Sequence, residues 1–120
     1  MGRHKMEYIE QLAHMFHEDL EIHGDSIEEI VYGEAQSLKD LGRLPAAIGE
    51  IEAVLEEGRF AEVTRFFDRP AAVEVYEPGE ERRFLERAHF IFVKVRDGRY
   101  GYFDSFMEAV GWRAGDLRYW

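Results

Sequence analysis

The stretch "HFIFVKVRDGRYGYF", residues 89–103, decides between two architectures for this chain. It is dense in β-branched and aromatic residues. Asp97-Gly98 at its middle is the dipeptide that type I′ turns favour, because both central positions of that turn need positive φ. Residues 89–96 and 99–103 are therefore expected to pair as an antiparallel hairpin. Just upstream, "AAVEVYEPG" (71–79) alternates and ends in a Pro-Gly turn, which predicts a strand near 72–76, with a short helical turn near 80–87 between the two.

The first half of the chain has a different period. Met6, Ile9, Leu12, Ala13 and Phe16 recur at three and four, so a first helix is expected to run to about His17–Leu20, with Gly24 in the turn that follows. In "GDSIEEIV" Ser26 is placed to cap a second helix while Glu29, three residues on, reaches back to the cap's own N–H. Ile27, Ile30, Val31, Ala35, Leu38 and Leu41 continue that stripe to Gly42. Gly33 within it costs about 1 kcal/mol relative to Ala, which predicts a close packing contact there. Pro45 opens a third helix with Ile48, Ile51, Val54 and Leu55 on its buried edge before Gly58; Phe60, Val63 and Phe67 make a short fourth, closed by Asp68-Arg69-Pro70. After the hairpin, Asp104 or Ser105 is expected to cap a last short helix through Val110. The fold class predicted is thus α+β: about four helices in the N-terminal half, packed with a small antiparallel hairpin or sheet and a short C-terminal helix. The 120 residues, with no repeat or linker, predict a single domain over 1–120; the opening "MGRHKM" is set aside as a natural start or an appended one.

Charge divides unevenly along the chain. Residues 7–57 hold fourteen Asp and Glu against Lys39 and Arg43 alone, whereas residues 58–120 hold eleven acids and eleven bases, within a net charge of −10. Such asymmetry points to an interaction surface, because self-repulsion costs stability while a negative field steers cationic partners. Direct nucleic-acid binding is disfavoured, since phosphate contacts need a concentrated basic surface. No apolar run is long enough to span a bilayer and no leader pattern opens the chain, so no membrane role is expected and a cytoplasmic location is. The absence of cysteine excludes disulfides and thiolate metal sites and agrees with a reducing compartment.

The residues of the acid-rich stretch "HMFHEDLEIHGDSIEEI" (14–30) admit three kinds of chemistry. His14, His17 and Glu18 have helical spacing for a metal, but only His23 or Asp25 beyond a turn offers to complete the set, so no metal and no cofactor are expected. Acid/base pairs drawn from Glu18, Asp19, Glu21 and Asp25 lack the burial that would set their pKa values apart. Serine occurs at 26, 37 and 105 only, and no nucleophile elbow, P-loop or dinucleotide fingerprint is present, so no catalytic residue is assigned and the chain is not expected to be an enzyme. Arg82, Arg83 and Arg87 interleave with Glu80, Glu81 and Glu86, which predicts local ion pairing on an exposed turn. The tail, with Tyr102, Phe103, Trp112, Tyr119 and Trp120, holds more aromatics than a small core needs.

"MFHEDLEIHGDSIEEIV", residues 15–31, resembles the opening of the CdiI-type contact-dependent growth inhibition immunity proteins, in which an aromatic-rich helix runs into an acidic turn, then Gly-Asp-Ser/Thr, then a Glu-Glu helix. The resemblance covers about residues 8–60, including "AAIGEIEAVLEEG". The chain departs from that pattern at Leu20, where an aromatic is common, and in its hairpin-like segment, where many members end in a helical Tyr/Trp segment. The resemblance implies a small cytoplasmic bacterial protein that binds and neutralises the C-terminal toxin domain of a partner system, often a nuclease. It meets the charge pattern in one mechanism: carboxylates presented where phosphates would lie, with Glu18, Asp19, Glu21, Asp25, Glu28 and Glu29 binding the toxin's basic active-site surface. The alternative is a small enzyme or ligand-binding domain with a pocket between helices and hairpin, using His89 or the His14/His17/Glu18 group.

Overall fold

Residues 84, 85, 88, 91, 92 and 95 of the computed structural model all point inward, and that spacing is the stripe of one helix. The structure describes residues 6–15, 25–67 and 81–118. Among them are six α-helices: α1 Glu7–His14, α2 Ile27–Asp40, α3 Leu44–Glu57, α4 Phe60–Phe67, α5 Glu81–Asp97 and α6 Phe103–Val110, followed by a 3-10 turn at Ala114–Asp116. No strand occurs among the described residues, which fold as helices alone, and the expected α+β class with its β-hairpin is overturned. The strand expected near 72–76 lies outside the described residues.

The hairpin fails because its first arm is the second half of a longer helical repeat. Over residues 89–96 alone, a run of apolar residues reads equally as strand or helix; joined to Phe84, Leu85 and Ala88 it is one face of a 17-residue helix. α5 packs along α2 and α3, and burial of Phe84, Ile91 and Phe92 outweighs the modest helix propensity of Ile91, Val93 and Val95. Its far end is closed from outside: Lys39 of α2 donates to the carbonyls of Val95 (2.7 Å) and Gly98 (2.5 Å), two acceptors near the helix end. Gly98 does not take the positive φ that a type I′ turn needs. A Cβ there would meet the hydroxyl of Tyr100 at 2.5 Å, so glycine serves close approach.

Elsewhere the helices start and stop near the expected places. Ser26 caps α2 and accepts from the Glu29 N–H (3.1 Å); Glu29 reaches back to the N–H of Asp25 (3.0 Å), one residue before the predicted partner. Pro45 sits in the first turn of α3, and Gly58 ends it at φ 71°. α1 stops at His14 with Met15 as its C-cap, and its predicted span beyond Met15 falls outside the described residues. Leu41, expected in the α2 stripe, is 68% exposed. α6 begins after Tyr102 without a side-chain cap, so neither Asp104 nor Ser105 has the capping role expected of it.

The buried faces of all six helices meet in one core. α1 rests on α3 and α4, and α6 rests on α2, where Tyr32 lies 5.0 Å from the ring of Phe106 and 5.5 Å from that of Phe103. Beyond α6, Trp112 sets its ring edge-on to Phe106 at 5.7 Å, which brings the chain back across α5 toward the start of α2.

Candidate functional site

The acid-rich stretch enters α2 at Asp25, and its carboxylates divide by environment. Asp25 is exposed; Glu29 is half-buried in its cap; Glu28 is only 1% exposed and lies within the fold. Glu18, Asp19 and Glu21 lie outside the described residues.

Glu28 is held by groups far along the chain. Its Oε1 accepts from the backbone N–H of Arg118 at 2.8 Å, and its Oε2 lies 3.3 Å from Nε of Arg87, an ion pair whose angle falls short of a hydrogen bond. The carbonyl of Arg118 in turn accepts from the N–H of Ile27 at 2.9 Å, one of the first-turn donors that the helix itself cannot satisfy. The Arg87 guanidinium stacks 3.9 Å over the Trp112 ring and donates to the Asp116 carbonyl at 3.0 Å. An ionised carboxylate this deep is tolerable only with such compensation, because stripping its water costs several kcal/mol.

Around this pair opens a cleft of about 560 Å³ between α5 and the C-terminal segment. Arg83, Glu86 and Phe90 form its α5 wall, and Trp112, Asp116 and Arg118 the wall opposite. Phe90 stacks on Trp112 at 5.5 Å and 27°. Glu86 pairs with Arg82 at 3.2 Å, as local spacing predicts, and the Asp116 carboxylate accepts from the Arg113 N–H at 2.8 Å. Arg87 breaks the local pattern expected of the 80–87 arginines. Sequence reasoning missed its partner because Glu28 lies in a different helix, and nothing local marks Glu28 as inward-facing.

Of the alternative chemistries, only His14, Asp25 and His89 fall among the described residues. His14 is exposed, His17, Glu18 and His23 lie outside the described residues, and no group of three potential metal ligands occurs among the described residues. His89 lies away from the cleft, its Nε2 2.9 Å from Oε2 of Glu52 on α3. A pocket between helices and hairpin has no hairpin to form it.

Two further carboxylates are inside the fold. Glu34 of α2 is 6% exposed and Glu50 of α3 is 8% exposed. Glu50 Oε2 accepts from the N–H of Ile9 at 2.7 Å, which caps α1 from another helix where Met6 provides no side-chain cap. Burial raises the Glu50 carboxyl above its ordinary value of 4.5, Glu7 adds to the rise, and the N–H donors of α1 oppose it. No helix of the described residues is long and apolar enough to cross a membrane. Neither a family model, nor a curated protein, nor a solved structure matches this chain.

Proposed function

We propose that this chain is a cytoplasmic immunity protein of the contact-dependent growth inhibition type, a non-enzymatic inhibitor that binds a bacterial toxin domain with a basic active-site surface, such as a nuclease. One observation carries the reading: residues 7–57 are crowded with carboxylates, and Glu7, Glu10, Asp25, Asp40, Glu52, Glu56 and Glu57 remain exposed after folding. A field of that sign speeds encounter with a cationic partner and disfavours nucleic acid itself.

The folded environments sort the bait residues by role. Asp25 is available to a partner, Glu29 is shared with its cap, and Glu28 works within the fold, so Glu18, Asp19 and Glu21 with Asp25 are the proposed contact set. The experiment is titration of the Asp19→Lys/Glu21→Lys double variant against the toxin domain encoded beside the gene, at 20 and 200 mM salt. The expected result is a wild-type association rate that falls with salt and a variant at least about tenfold weaker, with a flatter salt dependence. Equal affinity and equal salt dependence in the two proteins would overturn the acidic-bait mechanism.

A further inference from the structure

Arg87 is held from three sides in the cleft between α5 and the C-terminal segment, yet its hydrogen-bonding capacity is only partly used. The Trp112 ring lies 3.9 Å beneath its guanidinium, its Nη2 donates to the Asp116 carbonyl at 3.0 Å, and Oε2 of buried Glu28 stands 3.3 Å from its Nε. That last contact is an ion pair alone: Nε and Oε2 are buried, and neither has a hydrogen-bond partner among the described residues. Nη1 makes no hydrogen bond among the described residues either. The edge of Nε and Nη2 is thus turned to Glu28 and Asp116, which leaves the Nη1 end of the fork for an acceptor from outside. A guanidinium fixed in this way is a preformed oxyanion donor, because its planar N–H fork matches the oxygens of carboxylate and phosphate.

The surroundings agree in charge and shape. Arg83, one turn earlier on α5 and exposed, lines the same cleft, and so does Arg118 on the opposite wall. The acids there already have donors: Glu28 Oε1 has the Arg118 N–H, Glu86 has Arg82, and the Asp116 carboxylate has the Arg113 N–H. A cationic ligand would have to compete with those groups. Residues 81–118 carry eight Lys and Arg against six Asp and Glu, the reverse of the balance over the whole chain. Phe90, 37% exposed, adds an apolar surface, and a volume of about 560 Å³ is within the range of small-molecule sites.

We propose that this cleft binds a small organic oxyanion, a carboxylate or a phosphate monoester on an apolar or aromatic body, with the anionic group on Arg87 and the body against Phe90. Arg83 and Arg118 add their charge from the two walls. Glu28 and Trp112 position Arg87, and that preorganisation lowers the ordering cost of binding. The site does not depend on the immunity reading, since none of the proposed toxin contacts lines it.

The test is NMR titration of the full-length, isotope-labelled protein with benzoate, phenyl phosphate, inorganic phosphate and neutral benzamide, at about 0.1 M NaCl. At least one of the two organic anions is expected to bind saturably, with a dissociation constant of about 1 mM or tighter, and to shift the Arg87 Nε–H and Trp112 Nε1–H signals. The tighter of the two identifies the anionic group. Inorganic phosphate should bind at least about threefold more weakly than phenyl phosphate, a gap that Phe90→Ala closes, and benzamide should not bind. Arg87→Lys keeps the charge and loses the fork, so it should weaken binding about tenfold or more. Arg83→Gln, an exposed change that leaves the core intact, should weaken it about threefold or more, whereas Arg99→Gln, exposed and outside the cleft, should match wild type. Failure of both organic anions to bind, equal binding of benzamide, or affinity unchanged in both Arg87→Lys and Arg83→Gln would overturn the site. An equal loss in Arg99→Gln would reduce the effect to long-range charge and would overturn it as well.

Discussion

Glu50 shows how a carboxylate in an acidic chain becomes structural. Its carboxyl caps a neighbouring helix from 8% exposure, and burial raises its pKa. The folded state therefore binds its proton more tightly than the unfolded state. Ionised Glu50 lowers stability at neutral pH, and that penalty is relieved as pH falls through the raised value toward 4.5. Glu50→Gln keeps an acceptor for Ile9 N–H and removes the charge, so its urea midpoint at pH 7 should match or exceed wild type and should lose the gain that wild type shows on mild acidification. Glu50→Ala, which leaves the donor unsatisfied, should lose about 1–3 kcal/mol at pH 7. Gly33 gives the opposite lesson. The sequence predicts a close contact there, but a Cβ would meet nothing within 4 Å. Gly33→Ala in the exposed face of α2 should therefore raise stability by about 0.5–1 kcal/mol in chemical denaturation, through helix propensity alone.

At the level of elements, what was legible depended on whether the deciding interaction was local. The Ser26 cap, Pro45 at the start of α3 and the stop at Gly58 involve residues within one turn of each other, and spacing alone placed them. α5 was misread because its residues satisfy strand statistics locally, whereas its helical state is decided by α2 and α3 lying along it. The site divided in the same way: the acid-rich stretch was visible, but burial of Glu28 against Arg87 and Arg118 needed contacts between helices remote in sequence. Lys39 extends the point, since one ammonium supplied from α2 closes the carbonyl end of α5. Lys39→Met keeps the aliphatic stem and loses the donors. It should cost about 1–2 kcal/mol and raise amide exchange over residues 94–98 before any change in α3; uniform exchange along α5 would count against the capping role.

Over the whole molecule, the net charge of −10 sits on a body measuring 40 × 31 × 22 Å. At 10 mM salt the screening length is about 30 Å, so like charges repel across the entire fold; at 150 mM it is about 8 Å and only neighbours interact. The urea midpoint is expected to rise between these conditions, because the repulsion is long-ranged while the Glu28–Arg87 attraction acts across 3.3 Å with its carboxylate buried. A midpoint that falls with salt would mean that attractive surface pairs dominate. Arg118 stands 90 residues from Glu28, and that distance imposes an order on synthesis. A ribosome makes α1 through α6 before it makes the residue that closes α2. Until residue 118 emerges, the nascent chain carries a helix start whose donor and carboxylate both await the same missing backbone. A product that stops short of it leaves Ile27 N–H and Glu28 Oε1 without the backbone that they bond in the complete fold, so the first turn of α2 is where a truncated chain opens first.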